Sequence, residues 1–370
     1  MRGSITKKGK KYYIILYYKD ESGKYKQRWL SGYNKKSEAQ KALPSLLAEY
    51  ENGLYVDAEH VSLKEYLSIY ANDYCKPNLS RNSYDKVITA EKKISPYIGN
   101  LKLQKIKPIH IQSMLNQWNT EGSLKASSIQ TYLRVLHAAL EQAIKWQMIS
   151  NNPCSAVSGP KIQRRSLNIL TNDQVHELLE EAKKTPIHPV IMLGLLCGMR
   201  RGEILGLQWS NVDLSEGRIF IEHALVKAGN EIIFKETKTS TGKRSIDISG
   251  KLIQYLKSLK IKQKEDILRI GSDYKHNDYV CKHEDGTPFR PDFIPFKFNE
   301  ILTNAELPKL RFQDLRHTHA SMLLLAGENP KVIQERLGHS SIKVTLDTYS
   351  HLVPSMQKSA AERMESMIDF

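Results

Sequence analysis

Hydrophobic and polar positions first follow a strand-like pattern. Residues 11–19 (KYYIILYYK) crowd aromatic and β-branched side chains together, which predicts a strand. Asp20-Glu21-Ser22-Gly23 predicts a hairpin turn. Residues 24–30 (KYKQRWL) then alternate. Lys24, Lys26 and Arg28 share one face, and Tyr25, Gln27 and Trp29 share the other. Ser37 with Gln40 has the form of a capping box, opening a helix that ends before Gly53, with Pro44 placed to kink its first turns.

After a linker at residues 57–62 the period becomes helical. Ser62 with Glu65 is a second capping box, and Leu63, Tyr66, Leu67, Tyr70 and Tyr74 fall on one side of the helix it opens. A second helix spans residues 80–94, with Tyr84, Val87, Ile88 and Glu91 at helical spacing. Pro108 suits the first position of a third, which carries Ile111, Leu115 and Trp118. Residues 127–146 form the cleanest pattern, with Ile129, Leu133, Leu136, Leu140 and Ile144, and it stops before Asn151-Asn152-Pro153. The aromatic stripes belong to the core of this unit. Lys76, Arg81, Lys86, Lys92 and Lys93 lie on its polar side.

Residues 158–166 (SGPKIQRRS) combine Gly, Pro, Ser and cations, including Arg164 and Arg165, as an exposed interdomain linker does. Thr171 with Gln174 starts the last domain with another capping box. Residues 189–198 predict an apolar buried helix ended by Gly198, and the next begins at Arg201, leaving Arg200 at the junction. Residues 218–226, 231–238 and 243–248 predict three short strands. Residues 249–270, 291–305, 314–325, 330–337 and 354–369 predict helices. The fold class is therefore multidomain, mainly α with small β-sheets. Residues 1–56 form a three-stranded sheet plus helix and residues 57–157 a four-helix unit. Residues 158–168 are a linker, and residues 169–370 form a mixed α/β domain with a C-terminal helix.

Charge narrows the partner. The chain carries 55 Lys and Arg against 40 Asp and Glu, a net +15, and its pI is near 9.4. Residues 1–55 alone hold +7 of this. Such an excess suits a polyanion, above all nucleic acid. The most apolar run, residues 189–199, is too short for a bilayer, which takes roughly 20 residues. The N-terminal segment lacks the apolar core of a signal peptide. Cys75, Cys154, Cys197 and Cys281 are scattered, which speaks against zinc ribbons and disulfide frameworks and for a reducing cytoplasm.

Candidate chemistry concentrates in residues 311–352, where Arg316, the Leu337-Gly338-His339 turn and Tyr349 occur within about forty residues. Arginine, imidazole and phenol make an odd metal site. They suit a phosphodiester held by forked guanidinium donors while a tyrosine oxygen attacks it. Leu315-Arg316-His317-Thr318, Leu337-Gly338-His339-Ser340 and the segment from Thr345 through Asp347-Thr348-Tyr349-Ser350-His351 together resemble the C-terminal signature of the tyrosine recombinases, the integrase family of phages and conjugative transposons. Upstream, Cys197-Gly198-Met199-Arg200 with Glu203 resembles the family's first arginine motif. Thr237-Lys238-Thr239 followed by Gly242-Lys243-Arg244 resembles its lysine hairpin. One position departs: the family usually has His three residues before the second arginine, and here Gln313 stands there. Gln can donate a hydrogen bond but carries neither charge nor transferable proton.

The resemblance implies an arm-type DNA-binding domain over residues 1–56, a SAM-like core-binding domain over 57–157 and a catalytic domain over 169–370. It implies catalytic roles for Arg200, Lys238, Gln313, Arg316 and His339, with Tyr349 as nucleophile of a 3′-phosphotyrosyl intermediate. It also implies a homo-tetramer on double-stranded DNA at attachment and accessory arm sites, with an excisionase and a host DNA-bending factor as helpers. No metal or ATP is implied. Lys24, Lys26 and Arg28 are expected to meet DNA from the sheet, and Arg164 and Arg165 from the linker. Two other readings use the same scaffold: a catalytically impaired DNA-binding regulator, supported by Gln313, and a host dimer-resolving recombinase, disfavoured by the basic N-terminal domain. Metal-dependent cleavage is the remotest reading.

Overall fold

The computed structural model describes residues 2–19, 25–51, 61–162, 168–229, 231–236, 243–349, 361–362 and 364–368. The chain divides into two compact units, Met1–Gln163 and Arg164–Phe370. In the first, β1 (Arg2–Lys8), β2 (Lys11–Lys19) and β3 (Tyr25–Tyr33) form an antiparallel sheet in the order β1-β2-β3. Gly9, at φ +65°, takes the first place in the two-residue turn between β1 and β2, where a left-handed backbone matches the strand twist. The expected turn at Asp20–Gly23, and Lys24, lie outside the described residues. Helix α1 (Lys36–Glu51) packs on the sheet through Ala39 and Leu43 against Ile14 and Leu16. It begins ahead of the expected Ser37 cap, because Lys35 O already accepts the Ala39 N–H at 3.4 Å.

Strand pairing sets Arg28 opposite Leu16 and Lys26 opposite Tyr18. Ile14 and Leu16 are buried. The open side holds Tyr13, Tyr17, Gln27 and Trp29. Trp29 meets Tyr13 edge-on at 6.0 Å, with Lys8 Nζ 5.4 Å from its ring. Alternation grouped the residues into two sets, but only the helix decides which set is covered.

The helical part of the first unit starts at α2 (Leu63–Ile69). Its Ser62–Glu65 capping box is present in both directions, at 2.8 and 3.3 Å. A π-helical turn at Tyr70–Cys75 leads into α3 (Lys76–Asn78). Then follow α4 (Arg81–Ile98), α5 (Pro108–Glu121) and α6 (Ala126–Lys145). Tyr66, Ile94, Ile111, Trp118 and Leu136 are buried in their common core, as the apolar spacing requires. Tyr66 donates to Ala139 O at 2.5 Å, which satisfies its buried hydroxyl. Lys76, Arg81, Lys86, Lys92 and Lys93 are all exposed, with Arg81 paired to Asp85.

In the second unit, the Thr171–Gln174 capping box opens α7 (Asn172–Ala182). The apolar α8 (His188–Cys197) follows, buried almost all round as its composition demands, then the short α9 (Arg201–Leu205). Five strands come next: β4 (Val212–Asp213), β5 (Arg218–Ile221), β6 (His223–Ala228), β7 (Glu231–Glu236) and β8 (Arg244–Asp247). They form two sheets, β4-β5-β8 and β6-β7. The expected single strand over residues 218–226 is thus broken at Glu222. The cause is α9: ideal Cβ atoms at Gly202 and Gly206 would sit 3.0 Å from Leu225 O and 2.8 Å from Leu225 N. This glycine face lets the β6 backbone lie directly on the helix, away from the line of β5.

Then follow α10 (Gly250–Ile270), α11 (Phe293–Asn304), α12 (Asp314–Leu325), α13 (Pro330–Leu337) and α14 (Ile342–Tyr349). The expected bounds of α12 and α13 match. α8 is central to the core they share with the sheets, beside Phe289, Phe298, Phe312 and Leu315. Of the expected helix over residues 354–369, only residues 361–362 and 364–368 are described. No helix among the described residues is long and apolar enough to cross a membrane.

Because Gly206 meets backbone rather than a flexible side chain, Gly206→Ala is expected to cost about 1–3 kcal/mol. Urea unfolding of the variant checks this, and an unchanged midpoint would show that β6 does not bear on α9.

Candidate active site

The site is built around the end of one helix. α13 stops at Gly338, whose φ of +65° is the left-handed conformation that ends helices. Its last carbonyls therefore lack intrahelical partners and carry the negative end of the helix dipole. Three arginines, distant in sequence, supply the missing donors. Arg244 Nε donates to Arg336 O at 2.8 Å. Arg316 Nη2 donates to Leu337 O at 2.6 Å. Arg200 Nη2 donates to Gly338 O at 3.1 Å. Three consecutive carbonyls thus hold three guanidiniums side by side.

Each arginine arrives by a different local device. α8 ends at Gly198, at φ +61°, and a Cβ there would meet His319 Cδ2 at 2.6 Å and Leu337 Cδ2 at 2.7 Å. The chain turns through buried Met199, so that Arg200 precedes α9 with an extended backbone and a side chain 41% exposed. Arg316 sits in the first turn of α12, only 3% exposed, and its Nη1 donates back to Gly198 O at 2.8 Å. Arg244 opens β8 with a side chain 7% exposed.

One carboxylate organises the group. Glu203 accepts Arg200 Nη1 at 2.8 Å and the Arg200 backbone N–H at 2.9 Å. It also accepts Arg244 Nη1 and Nη2 at 3.2 and 2.8 Å. Burial alone would raise the Glu203 carboxyl. The Arg244 hydrogen bond and charge, with those of Arg200, outweigh it and hold Glu203 below the ordinary carboxylate range. Among the described residues, three guanidiniums gather here around one carboxylate, a setting for an anion.

His339 follows Gly338, and its Nδ1 is 2.8 Å from Thr345 Oγ1. Burial first, then the Arg316 and Arg200 charges, push its imidazole down to about 4, so it is neutral at neutral pH. Thr345 is buried in α14, and Tyr349 ends that helix one turn further on, about 6 Å along the axis. The Tyr349 side chain is outside the description. Gln313, just ahead of α12, lines a cleft of about 720 Å³ together with Arg200, Arg201, Lys309 and Arg311. The structure therefore brings Arg200, Arg316 and His339 together and sets Gln313 in the cleft beside Arg200. Lys238 lies outside the described residues, between β7 and β8. Arg164 and Arg165 also lie outside them, and of Lys26 and Arg28 only the backbone is described.

His317 and His319 do not face one ligand. His319 Nε2 accepts from Arg336 Nε at 3.2 Å, which leaves the proton on Nδ1 for Leu195 O at 2.7 Å. Burial above all, then the Arg336 charge, pushes its imidazole down to about 4. His317 is half-buried and also lowered, chiefly by burial. Sequence reasoning placed Arg200 and Glu203 in one motif but missed Arg244 and Arg336 as parts of the site. The Arg336 side chain also donates to Asp247 O and Leu196 O, lacing α13 to β8 and α8. A cation in the last turn before a helix-ending glycine was the available signal for Arg336. For Arg244, the Gly242-Lys243-Arg244 run gave a place but no role.

Guanidiniums gathered in this way suit an anion, and the helix that meets His339 through Thr345 ends in tyrosine. The chain belongs to the phage integrase family of tyrosine recombinases: the Phage integrase family model matches residues 168–356. An Arm DNA-binding domain model matches residues 3–50, and the family's N-terminal SAM-like domain matches residues 62–119. The chain is 26% identical over 336 residues to the ICEBs1 integrase of Bacillus subtilis (strain 168), covering 90% of each. Its fold is that of the Tn1549 transposon integrase solved with a circular intermediate DNA (TM-score 0.70, 20% identity, 82% of this chain and 99% of that one). It is also that of the lambda integrase tetramer solved on a Holliday junction (TM-score 0.60, 20% identity, 91% and 92%). The chain is accordingly an integrase, an enzyme of DNA recombination.

The two histidines pushed down to about 4, His319 and His339, give a pH signature. Below about 6.5 the unfolded chain binds protons at His319 and His339 that the folded chain refuses until about pH 4. Stability of the DNA-free protein is therefore expected to fall as pH drops from 6.5 toward 4.5, and His319→Gln should flatten that slope. Urea midpoints across the range check it; a wild-type midpoint flat from pH 7.5 to 5 would contradict the buried neutral state.

Proposed function

We propose that this integrase cuts and rejoins duplex DNA with Tyr349 as nucleophile, making a 3′-phosphotyrosyl intermediate, to integrate and excise a mobile element. The observation that carries the reading is the convergence of Arg200, Arg316 and His339 at the end of α13, with α14 docked on His339 through Thr345. Attack on a phosphodiester builds a second negative charge on the non-bridging oxygens. The positive charges of the arginine–Glu203 cluster offset it, and they act in a site that is already ordered before substrate arrives. Arg200 and Arg316 grip those oxygens. A neutral His339 that accepts the Thr345 hydroxyl at Nδ1 keeps Nε2–H as a hydrogen-bond donor, so its contribution is a bond rather than a proton. Gln313 donates to the same phosphate without carrying charge.

Tyr349 has an ordinary pKa of about 10, and the cationic cluster favours its phenolate. The P–O5′ bond breaks as the leaving oxygen takes a proton from Lys238, whose ordinary pKa is about 10.4. The phosphotyrosyl bond keeps the energy of the broken diester, and a 5′-hydroxyl of a partner strand reverses the attack. ATP is then unnecessary, and the cations of the cluster take the place of a metal.

We further propose a division into an arm-binding domain over residues 1–56, a core-binding domain over 57–157, a linker over 158–168 and a catalytic domain over 169–370. The working form is a homo-tetramer on attachment and arm sites in the cytoplasm, helped by an excisionase and a host DNA-bending factor. The tetramer is supported by the lambda integrase assembly on its junction. Lys24, Lys26, Arg28, Arg164 and Arg165 are the proposed DNA contacts.

A covalent-adduct assay tests the chemistry. Wild type and Tyr349→Phe are incubated with nicked duplexes spanning the native attachment site, in EDTA. Wild type is expected to give a denaturant-resistant complex, and Tyr349→Phe none. An adduct that persists in Tyr349→Phe would move the nucleophile elsewhere. Loss of the wild-type adduct in EDTA alone would overturn metal independence. Salt-sensitive binding without any adduct would favour a DNA-binding regulator.

A further inference from the structure

We infer that Arg244 is a positioning residue of the phosphate clamp, acting through Glu203 and the end of α13; this rests on the reading of Arg200 and Arg316 as the gripping pair. Arg244, with a side chain 7% exposed, directs its Nε, Nη1 and Nη2 at the two groups that orient the clamp. Nε holds Arg336 O, next to the carbonyls that hold Arg316 and Arg200. Nη1 and Nη2 each take one oxygen of Glu203.

That second contact is the important one. Glu203 is buried and charged, so it must be paired. With Arg244 in place, Arg200 gives its side chain to Glu203 through Nη1 alone, and Nη2 reaches Gly338 O. Without Arg244, both Glu203 oxygens become open to Arg200, its other side-chain cation among the described residues. A carboxylate so exposed favours the two-pronged pair with arginine. Arg200 is then drawn inward onto Glu203 and off the α13 carbonyl, which weakens the clamp. Arg244 therefore keeps Arg200 aimed outward and the local charge at its working value. Lysine cannot replace it, because one ammonium does not span Glu203 and Arg336 O in a fixed plane.

The test compares two substrates in single-turnover cleavage by the full-length protein. One carries the natural scissile phosphodiester, the other a neutral methylphosphonate at the same position. The variants are Arg244→Gln, Arg244→Lys and, as a reference for the clamp, Arg200→Ala. On the phosphodiester, Arg244→Gln and Arg244→Lys are expected to slow cleavage about 10- to 100-fold, as a misplaced catalytic group does. Affinity for the site should stay within about threefold of wild type, since Arg244 makes no phosphate contact of its own. On the methylphosphonate the deficit should shrink to about threefold or less, because a substrate with one negative charge fewer asks less of the clamp.

An equal deficit on both substrates would overturn the proposal, since a general packing defect does not read substrate charge. So would wild-type rates on the phosphodiester. The urea midpoint of Arg244→Lys shows that the protein assayed is folded. If the Arg200→Ala deficit shrinks on the methylphosphonate and the Arg244 deficit does not, the clamp stands and the role of Arg244 falls. If only the Arg244 deficit shrinks, Arg200 is not the gripping residue, and Arg244 acts on the charge balance through α13.

Discussion

The carbonyl end of α13 is the constraint on which the rest of the second unit depends. A helix that stops at a left-handed glycine leaves its final carbonyls without partners, and buried carbonyls must find donors. Arg244, Arg316 and Arg200 satisfy Arg336, Leu337 and Gly338 in turn. Those bonds fix where the guanidiniums point and how close they stand. Three like charges at such spacing repel one another. The negative end of the helix dipole and the buried Glu203 make the arrangement tolerable, and both are present before any substrate binds.

Much of the surrounding fold serves that gathering. Gly198 ends α8 so that Arg200 leaves at the elbow, and it offers its own carbonyl to Arg316. The glycine face of α9 admits β6 as bare backbone, which turns the chain out of the β5 sheet and leaves β8 to pair with β5. β8 then delivers Arg244 to the far side of Glu203. Arg336, on the last turn of α13, ties that helix to α8 and β8 and spends one donor on His319. The neutral His319 thus works as a hydrogen-bonded spacer. Its neighbour in role, His339, carries the link to α14, where Tyr349 stands one turn beyond the buried Thr345.

Legibility from sequence followed the range of the interaction concerned. Capping boxes at Ser62 and Thr171, the proline start of α5 and the bounds of α12 and α13 are matters of a few adjacent residues, and all were readable. The Ser37 cap was misread by a residue or two, because Lys35 O had already accepted the first helical bond. Arg200, Arg316, His339 and Tyr349 were readable as a set because they recur in motifs of fixed composition and order. Arg244 was not, since its partners, Glu203 and Arg336 O, lie 41 and 92 residues away in opposite directions along the chain.

By itself, the sequence determined the sheet-and-helix start, the four-helix middle, the mixed α/β end, the basic character and the residue types of the candidate site. These follow from period, capping chemistry and composition, which act along the chain. The tertiary structure alone decided which side of the first sheet is covered, where the strand at Glu222 breaks, and which arginines share Glu203. The reason is the same each time. Alternation divides a strand into two faces without naming the buried one, and a guanidinium in the sequence has no preferred carbonyl. Both choices are made when distant segments meet and their unpaired polar groups must be satisfied together.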